Sequence, residues 1–458
     1  MTDGPTSLPD GCLIAWYGDD FTGAAAVMEV LTFSGLSSVL FLGVPTVNQL
    51  KDFTGYRGMG IAGVARSKSP DWMDEHLPQI FNVMSTYGAP INHYKTCSTF
   101  DSAPHIGSIG KACDIAIPTL GGSWHPLFVA APEIERYQTF GNLFAGISGV
   151  PYRLDRHPVM SRHPITPMHE ADITRHLSRQ TETPLGLVTL LDLASNPDAA
   201  LARERRAGAK IIAIDCIDHL SLIEAGRLIW ANRGERLFAV GSQGMEYALV
   251  AHWRDRGLLR DGRQPEHPGR VDHIAVVSGS CSSITANQIR QARKSGFKAI
   301  RVNPALAVDD RAWSNELESA AAAALVGLNE GWDPIVFTSS GPEDHSIVAF
   351  QEALEASGKS EEVVNECIGN GLGRLLRNIV DRTGLRRAVI SGGDTSSHGA
   401  SSLGIFALTA LAPVAPGAAL CRVHSDVSCL AGFEIALKGG QMGGPNYFEM
   451  VKNGGHLA

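Results

Sequence analysis

Short apolar runs alternate with longer, helix-periodic segments along almost the whole 458-residue chain, and no other feature constrains the fold as much. Residues 13–17, 39–42, 60–64, 127–131, 185–191, 211–215 and 237–240 read as buried strands, and 72–84, 171–179, 199–207 and 245–254 as amphipathic helices. Strands that are apolar throughout and separated by helices build parallel sheets covered on both faces. The alternation resumes at 274–277, 299–302, 335–338 and 388–390, and after residue 403 gives way to Ala/Pro/Gly-rich segments that read as strands and loops. Between the two halves, 254–273 is rich in Gly, Pro and charge, as domain boundaries are. The expected fold is therefore α/β: two domains with largely parallel sheets, at 12–255 and 273–458, joined by a linker over 256–272. Ligands should collect outside the carboxyl ends of the strands, with a substrate cleft between the domains.

Composition removes several function classes. A formal net charge of -8 and the absence of a dense Lys/Arg block argue against nucleic acid as a partner. Eight cysteines occur singly, with no CxxC pair, which disfavours disulfides and metal clusters and suits a reducing compartment. No apolar run approaches the ~18 residues a membrane helix needs, and the polar, breaker-rich start lacks the features of a leader, so a cytoplasmic protein without a membrane partner is expected. Homo-oligomer formation is left open.

The chemistry-bearing clusters fall at predicted strand ends. Asp19 and Asp20 follow the first strand and precede the helix 24–33; one Asp suffices as a helix cap, so the second is a candidate to act on substrate. The loop 95–102, YKTCSTFDS with its leading tyrosine, offers Lys95, Ser98 and Asp101 among hydroxyls, a donor density suited to a polyhydroxylated anion. His157, His163, His169 and His176 match no metal-ligand spacing, and only His163, in a Pro-bracketed loop, is retained as a ligand contact. In the second half, SGSCSS (278–283), GGDTS (392–396) and LKGGQMGG (437–444) are small-residue turns whose amides can approach a phosphate closely. None is a Walker or dinucleotide fingerprint, but three in one domain make a nucleotide cradle.

GDDFTG (18–23), KTCSTFDS (95–102), HPITPM (163–168), SGSCSSITANQI (278–289), GGDTS and LKGGQMGG, in this order, resemble the motifs of the four-carbon acid sugar kinase family. The resemblance implies an ATP-dependent kinase using Mg2+, with a small sugar acid held by the N-terminal domain and the nucleotide by the C-terminal one. It implies that Asp19, Asp20, Lys95, Ser98, Asp101 and Arg136 face the sugar, Arg136 as clamp for a carboxylate. It assigns Ser278, Ser280, Gly392, Gly393, Asp394, Thr395 and Gly440 to the nucleotide, and no residue as a dedicated metal ligand. Asp20 is expected to orient or deprotonate the acceptor hydroxyl, with Asp19 holding the loop or a metal-bound water; the two roles are interchangeable at this stage, and Asp101 is the alternative base. The chain reads GGDTS where the family usually reads GGETS, KGGQMG where it more often reads KSGNFG, and lacks a Pro-Ala-Phe-Pro run near Arg136; the expected acceptor is a terminal hydroxyl of a 3-oxo-tetronate, a tetronate or 3-oxo-isoapionate, the last a less common branch that these departures keep open. A non-catalytic sugar-acid-binding protein and an NAD(P)-dependent oxidoreductase are the alternatives.

Overall fold

A computed structural model describes residues 7–147, 149–163, 165–260 and 267–455, with the side chain of Asp394 outside the described set. The chain divides into two compact units, Met1–Arg263 and Gln264–Ala458.

The first unit is built on β1 (Ile14–Gly18), β2 (Ser38–Phe41), β3 (Gly58–Ala62), β4 (Ile91–Lys95), β5 (His125–Phe128), then a separate antiparallel set β6 (Arg136–Thr139), β7 (Asn142–Ile147) and β8 (Val150–Arg153), and finally β9 (Leu185–Val188), β10 (Ile211–Ile214) and β11 (Leu237–Gly241). Its main sheet runs β2-β3-β1-β4-β11-β5-β10-β9, every pairing parallel. The chain leaves β1 towards β2 and β3 on one side, then crosses to β4 on the other, so β1 and β4 flank a topological switch point, where side-by-side loops diverge and open a crevice. Strand β1 is buried along its whole length, as a continuous apolar run requires.

The second unit contains β12 (Ala275–Ser278), β13 (Phe297–Arg301), β14 (Asp333–Phe337), β15 (Arg387–Ser391), β16 (Ile405–Ala412), β17 (Leu420–Ser425) and β18 (Glu434–Lys438). The order β13-β14-β12-β15-β18 is parallel, and β17 and β16 continue it antiparallel. Here the switch point lies between β12 and β15. The core gathers Val276, Ile335, Val389, Ala436 and Tyr447.

Several elements differ from expectation. The strand expected over 185–191 stops at Val188, because Thr189 and Asp192 form a capping box that starts the helix Leu190–Ser195. Residues expected as loop after 403 include the helix Tyr447–Asn453. The antiparallel set β6–β8 was not foreseen. Residues 267–272, read as linker, pack within the second unit: Gly269 O accepts from Arg387 Nη1 at 2.9 Å, and Val271 N–H donates to Lys452 O at 3.1 Å. Among the described residues no helix is long and apolar enough to cross a membrane.

Candidate active site

The first cluster forms where β1 and β4 end. Asp20 caps the helix Phe21–Phe33, its Oδ1 accepting the Gly23 N–H at 2.9 Å. The strand-to-helix turn is tight: a Cβ on Gly18 would lie 2.4 Å from Ala24 Cβ. Asp19 N–H donates to Lys95 O and Arg66 N–H to Asp19 O, both at 3.0 Å, which ties together the ends of β1 and β4 and the segment after β3.

Arg66, in the single turn Ala65–Ser67, is the residue sequence reasoning missed. Its Nη2 donates to Asp19 Oδ1 at 2.6 Å and to Asp20 Oδ1 at 2.7 Å. Lys95, buried, donates from Nζ to Thr96 O at 2.5 Å, and its Nζ and Asp20 Oδ1 both lie close to Gly23, where a Cβ would meet them at 2.8 and 2.5 Å. Burial pushes the Asp19 carboxyl above its usual range against the pull of Arg66, and pushes the Lys95 ammonium down. Burial opposes charge on Arg66 as well, but Asp19 and Asp20 beside it hold its pKa above the ordinary value. The two acids differ in access: Asp19 is 1% exposed and Asp20 30%. Asp20 is thus the carboxylate a ligand can reach, and Asp19 Oδ2 and Arg66 Nε stay buried without a hydrogen-bond partner among the described residues.

A second group lies on the loop after β4. Thr99 Oγ1 donates to Asp101 Oδ1 at 2.8 Å, and Arg136 Nε donates to Ser98 Oγ at 3.2 Å. Arg136 Nη1 is committed to the carbonyls of Ile134 and Glu135, while Nη2 forms no hydrogen bond among the described residues. Burial pushes the Cys97 thiol up to about 11, so it is no nucleophile at neutral pH. His163 is not brought to these groups by any hydrogen bond or ion pair among the described residues; its Nδ1 accepts the Thr166 N–H at 3.1 Å and closes its own loop. His157 is likewise a local tie, to the Val159 and Met160 amides, whereas His176 Nε2 pairs with Ser102 Oγ, 74 residues away in the chain.

In the second unit the three turns converge. Ser278 ends β12, and Ser282 caps the helix Ser283–Ala292. Gly392, at φ 123°, precedes the helix Gly393–Leu403, whose N-terminus has no side-chain cap. Ser282 Oγ and Thr285 Oγ1 both donate to Gly440 O. Close approach demands glycine here: a Cβ on Gly279 would lie 2.2 Å from Thr395 Oγ1, and one on Gly440 2.6 Å from Ser280 Oγ. Gln288 Nε2 pins the last turn through the carbonyls of Met442, Gly443 and Gly444 at 2.9 to 3.0 Å.

These turns form one wall of a cavity of about 540 Å³, to which Ser280, Gly392, Gly393 and Thr395 contribute; Ser278 and Gly440 support it, and the side chain of Asp394 lies outside the described residues. The far wall carries Pro304, Ile347, Phe350 and Ile368, with Gln351, Asn365 and the acid Glu361 as polar groups. Open amides on one side and an apolar slot with amide side chains on the other suit a phosphorylated ring compound. This far wall is not legible in the sequence, because the helices His345–Ser357 and Glu361–Thr383 carry no motif; their apolar positions read as core.

Two family descriptions match the two units: a sugar-binding N-terminal domain over residues 14–249 and a nucleotide-binding C-terminal domain over 275–448. The chain belongs to the four-carbon acid sugar kinase family. Among curated members of this family, a 3-oxo-isoapionate kinase from Paraburkholderia graminis is 44% identical over 98% of this chain and 96% of its own. A 3-oxo-tetronate kinase from Methylobacterium radiotolerans is 30% identical over 96% and 98%, and one from Cupriavidus necator 28% over 97% and 98%. Solved proteins from Haemophilus influenzae and Salmonella typhimurium share the fold, with TM-scores of 0.73 and 0.76 at 24% and 23% identity, over 96% and 95% of this chain and 99% and 98% of theirs. As a family member the protein is a carbohydrate kinase with a nucleotide-binding domain.

Proposed function

We propose that the protein transfers the terminal phosphoryl group of ATP to a hydroxyl of 3-oxo-isoapionate or a closely related branched 3-oxo sugar acid. The observation that carries the mechanism is the partly exposed Asp20 carboxylate paired with Arg66, with the Lys95 ammonium close by; the substrate follows from the 44% identity to a 3-oxo-isoapionate kinase. The acid sugar is assigned to the first unit, 12–255, and the nucleotide to the second, 273–458.

Phosphoryl transfer asks for positioning and charge neutralisation more than for covalent chemistry. Asp20 accepts the proton of the acceptor hydroxyl. Asp19, buried and bound to Arg66, fixes the loop rather than reacting. The uncommitted Nη2 of Arg136 suits the substrate carboxylate, with Ser98 and Asp101 completing the polar wall. His163, whose Nδ1 closes its own loop on Thr166, is given no part in this wall. In the second unit the uncapped helix N-terminus at Gly392 and the amides around Ser278, Ser280, Gly393, Asp394, Thr395 and Gly440 hold the phosphates.

Among the described residues no group of three or more His, Cys, Asp or Glu side chains could hold a metal ion. Mg2+ in this reading is carried by the nucleotide phosphates and water, as it commonly is. When bound it would neutralise phosphate charge; Ser280 and Thr395 are the hydroxyls at hand.

The test is ADP release coupled to a spectrophotometric readout, with purified protein, ATP and Mg2+, against 3-oxo-isoapionate, 2- and 3-oxo-tetronates, D-threonate and D-erythronate. Turnover is expected on 3-oxo-isoapionate with kcat/KM at least tenfold above the unbranched acids. Higher kcat/KM on a tetronate would overturn the substrate, and ATP binding with silence on all acids would overturn the acceptor class.

A further inference from the structure

Lys438, the last residue of β18, lies beneath the three turns, and its position there calls for a counter-charge the described chain does not supply. It is 1% exposed. Its Nζ donates to Thr285 Oγ1 at 3.0 Å and to Ser391 Oγ at 2.9 Å, and stands 5.8 Å from the ring centre of Tyr447. Its carbonyl accepts the Gly392 N–H at 2.9 Å and the Ser396 hydroxyl at 3.1 Å. Thr285 passes the connection on by donating to Gly440 O at 3.0 Å. One residue thus touches the helix behind the first turn and the base of the second, and reaches the third through Thr285.

No carboxylate among the described residues forms a hydrogen bond or ion pair with Lys438. Burying an ammonium against hydroxyls alone is unfavourable, and burial pushes this one down to about 8. Buried charges are ordinarily paired. The missing partner is then an anion that arrives from outside, and the amides above Lys438 are those arranged to receive one.

We propose that Lys438 is the buried positive charge of the nucleotide's phosphate cradle, a positioning residue that acts through Thr285, Ser391 and the turn amides rather than by touching the nucleotide. This rests on the second unit being the nucleotide site. A charge serving the ligand and not the fold has a distinctive consequence: Lys438→Met removes an unpaired buried charge while keeping a side chain of similar length, so the free protein should be no less stable, and only phosphate binding should suffer.

The experiment measures Kd for ATP, ADP and adenosine by calorimetry, with displacement of ADP for adenosine, on wild type, Lys438→Met and Lys438→Gln, together with the unfolding temperature of each free protein. Both variants are expected to lose about tenfold or more in ATP and ADP affinity, equivalent to about 1.4 kcal/mol, with adenosine changed less than about twofold and the unfolding temperature of Lys438→Met equal to or above wild type. ATP affinity within twofold of wild type overturns the proposal. Equal losses for ATP and adenosine, or an unfolding temperature that falls with them, also overturn it, because Lys438 would then be scaffold. Wild type that binds no nucleotide overturns the nucleotide site itself, a failure visible without any variant.

Discussion

Asp20 does two things that substitution can separate. It caps the helix Phe21–Phe33 through Gly23, and it presents a carboxylate paired with Arg66, with Lys95 close by. Asn caps a helix about as well as Asp. Asp20→Asn should therefore keep its unfolding temperature while kcat drops about 10²- to 10⁴-fold, the usual cost of losing a general base; turnover within threefold of wild type would place the base elsewhere. The acid pair was legible because adjacent carboxylates at a strand end exceed what a cap needs. Arg66 was not: its partners lie 46 and 47 residues away, and in GVARSKSPD nothing distinguishes it from the neighbouring Lys68. Nor did four histidines within twenty residues mark which one matters for stability. Burial lowers His176 to about 4, so the folded state binds its proton less readily than the unfolded chain, where a histidine titrates near 6.5. Its contribution is present above about pH 6.5 and is lost as pH falls towards 4, on the order of 3 kcal/mol in all. His176→Gln should flatten the acid limb of a stability–pH curve; an unchanged slope between pH 6.5 and 4 would contradict this origin.

At the scale of elements, the set β6–β8 places Arg136, and Asp215 holds the set. Asp215, at the end of β10 and buried, accepts from the amides of Phe140, Gly141 and Leu190 and from Gln138 Nε2. Gln138 and Cys216 exchange a further pair of backbone bonds. Sequence reading passed over this hairpin for a physical reason: its two-residue turn is Phe140–Gly141, with φ of 47° and 76°, where positive φ at both positions normally selects Asn-Gly or Asp-Gly. A phenylalanine in that conformation gives no turn signal, and β8, largely exposed, gives no burial signal. The parallel strands were legible because each is apolar throughout. Asp215→Asn leaves one acceptor where four N–H groups point and turns an amide towards them, at about 1–3 kcal/mol for each donor stranded. KM for the sugar acid should then rise several-fold while KM for ATP holds; a parallel rise in both would mean that the hairpin does not serve the acid.

For the molecule as a whole the difficulty is charge. A chain of net charge -8 has no long-range attraction for a sugar acid or for ATP, so each must be captured by cations at short range. Arg66, Lys95 and Arg136 supply them in the first unit and Lys438 in the second. Either set could in principle receive a phosphate, and the acids decide between them. Asp19 and Asp20 already offset Arg66 and Lys95, leaving a nearly neutral cluster that tolerates one carboxylate and many hydroxyls but would repel a triphosphate. The turns of the second unit hold one acid in sequence, Asp394, against the two paired acids of the first unit, and their helix N-terminus at Gly392 is uncapped. Hydrogen exchange with each ligand alone tests this division. ATP should slow exchange at 278–282, 392–396 and 438–442 and leave 18–23 and 95–101 unchanged, and the sugar acid should do the reverse. Protection of 18–23 by ATP in the absence of the acid would mean that the carboxylate cluster accepts phosphate despite its charge, and the ligands would have to be reassigned between the units.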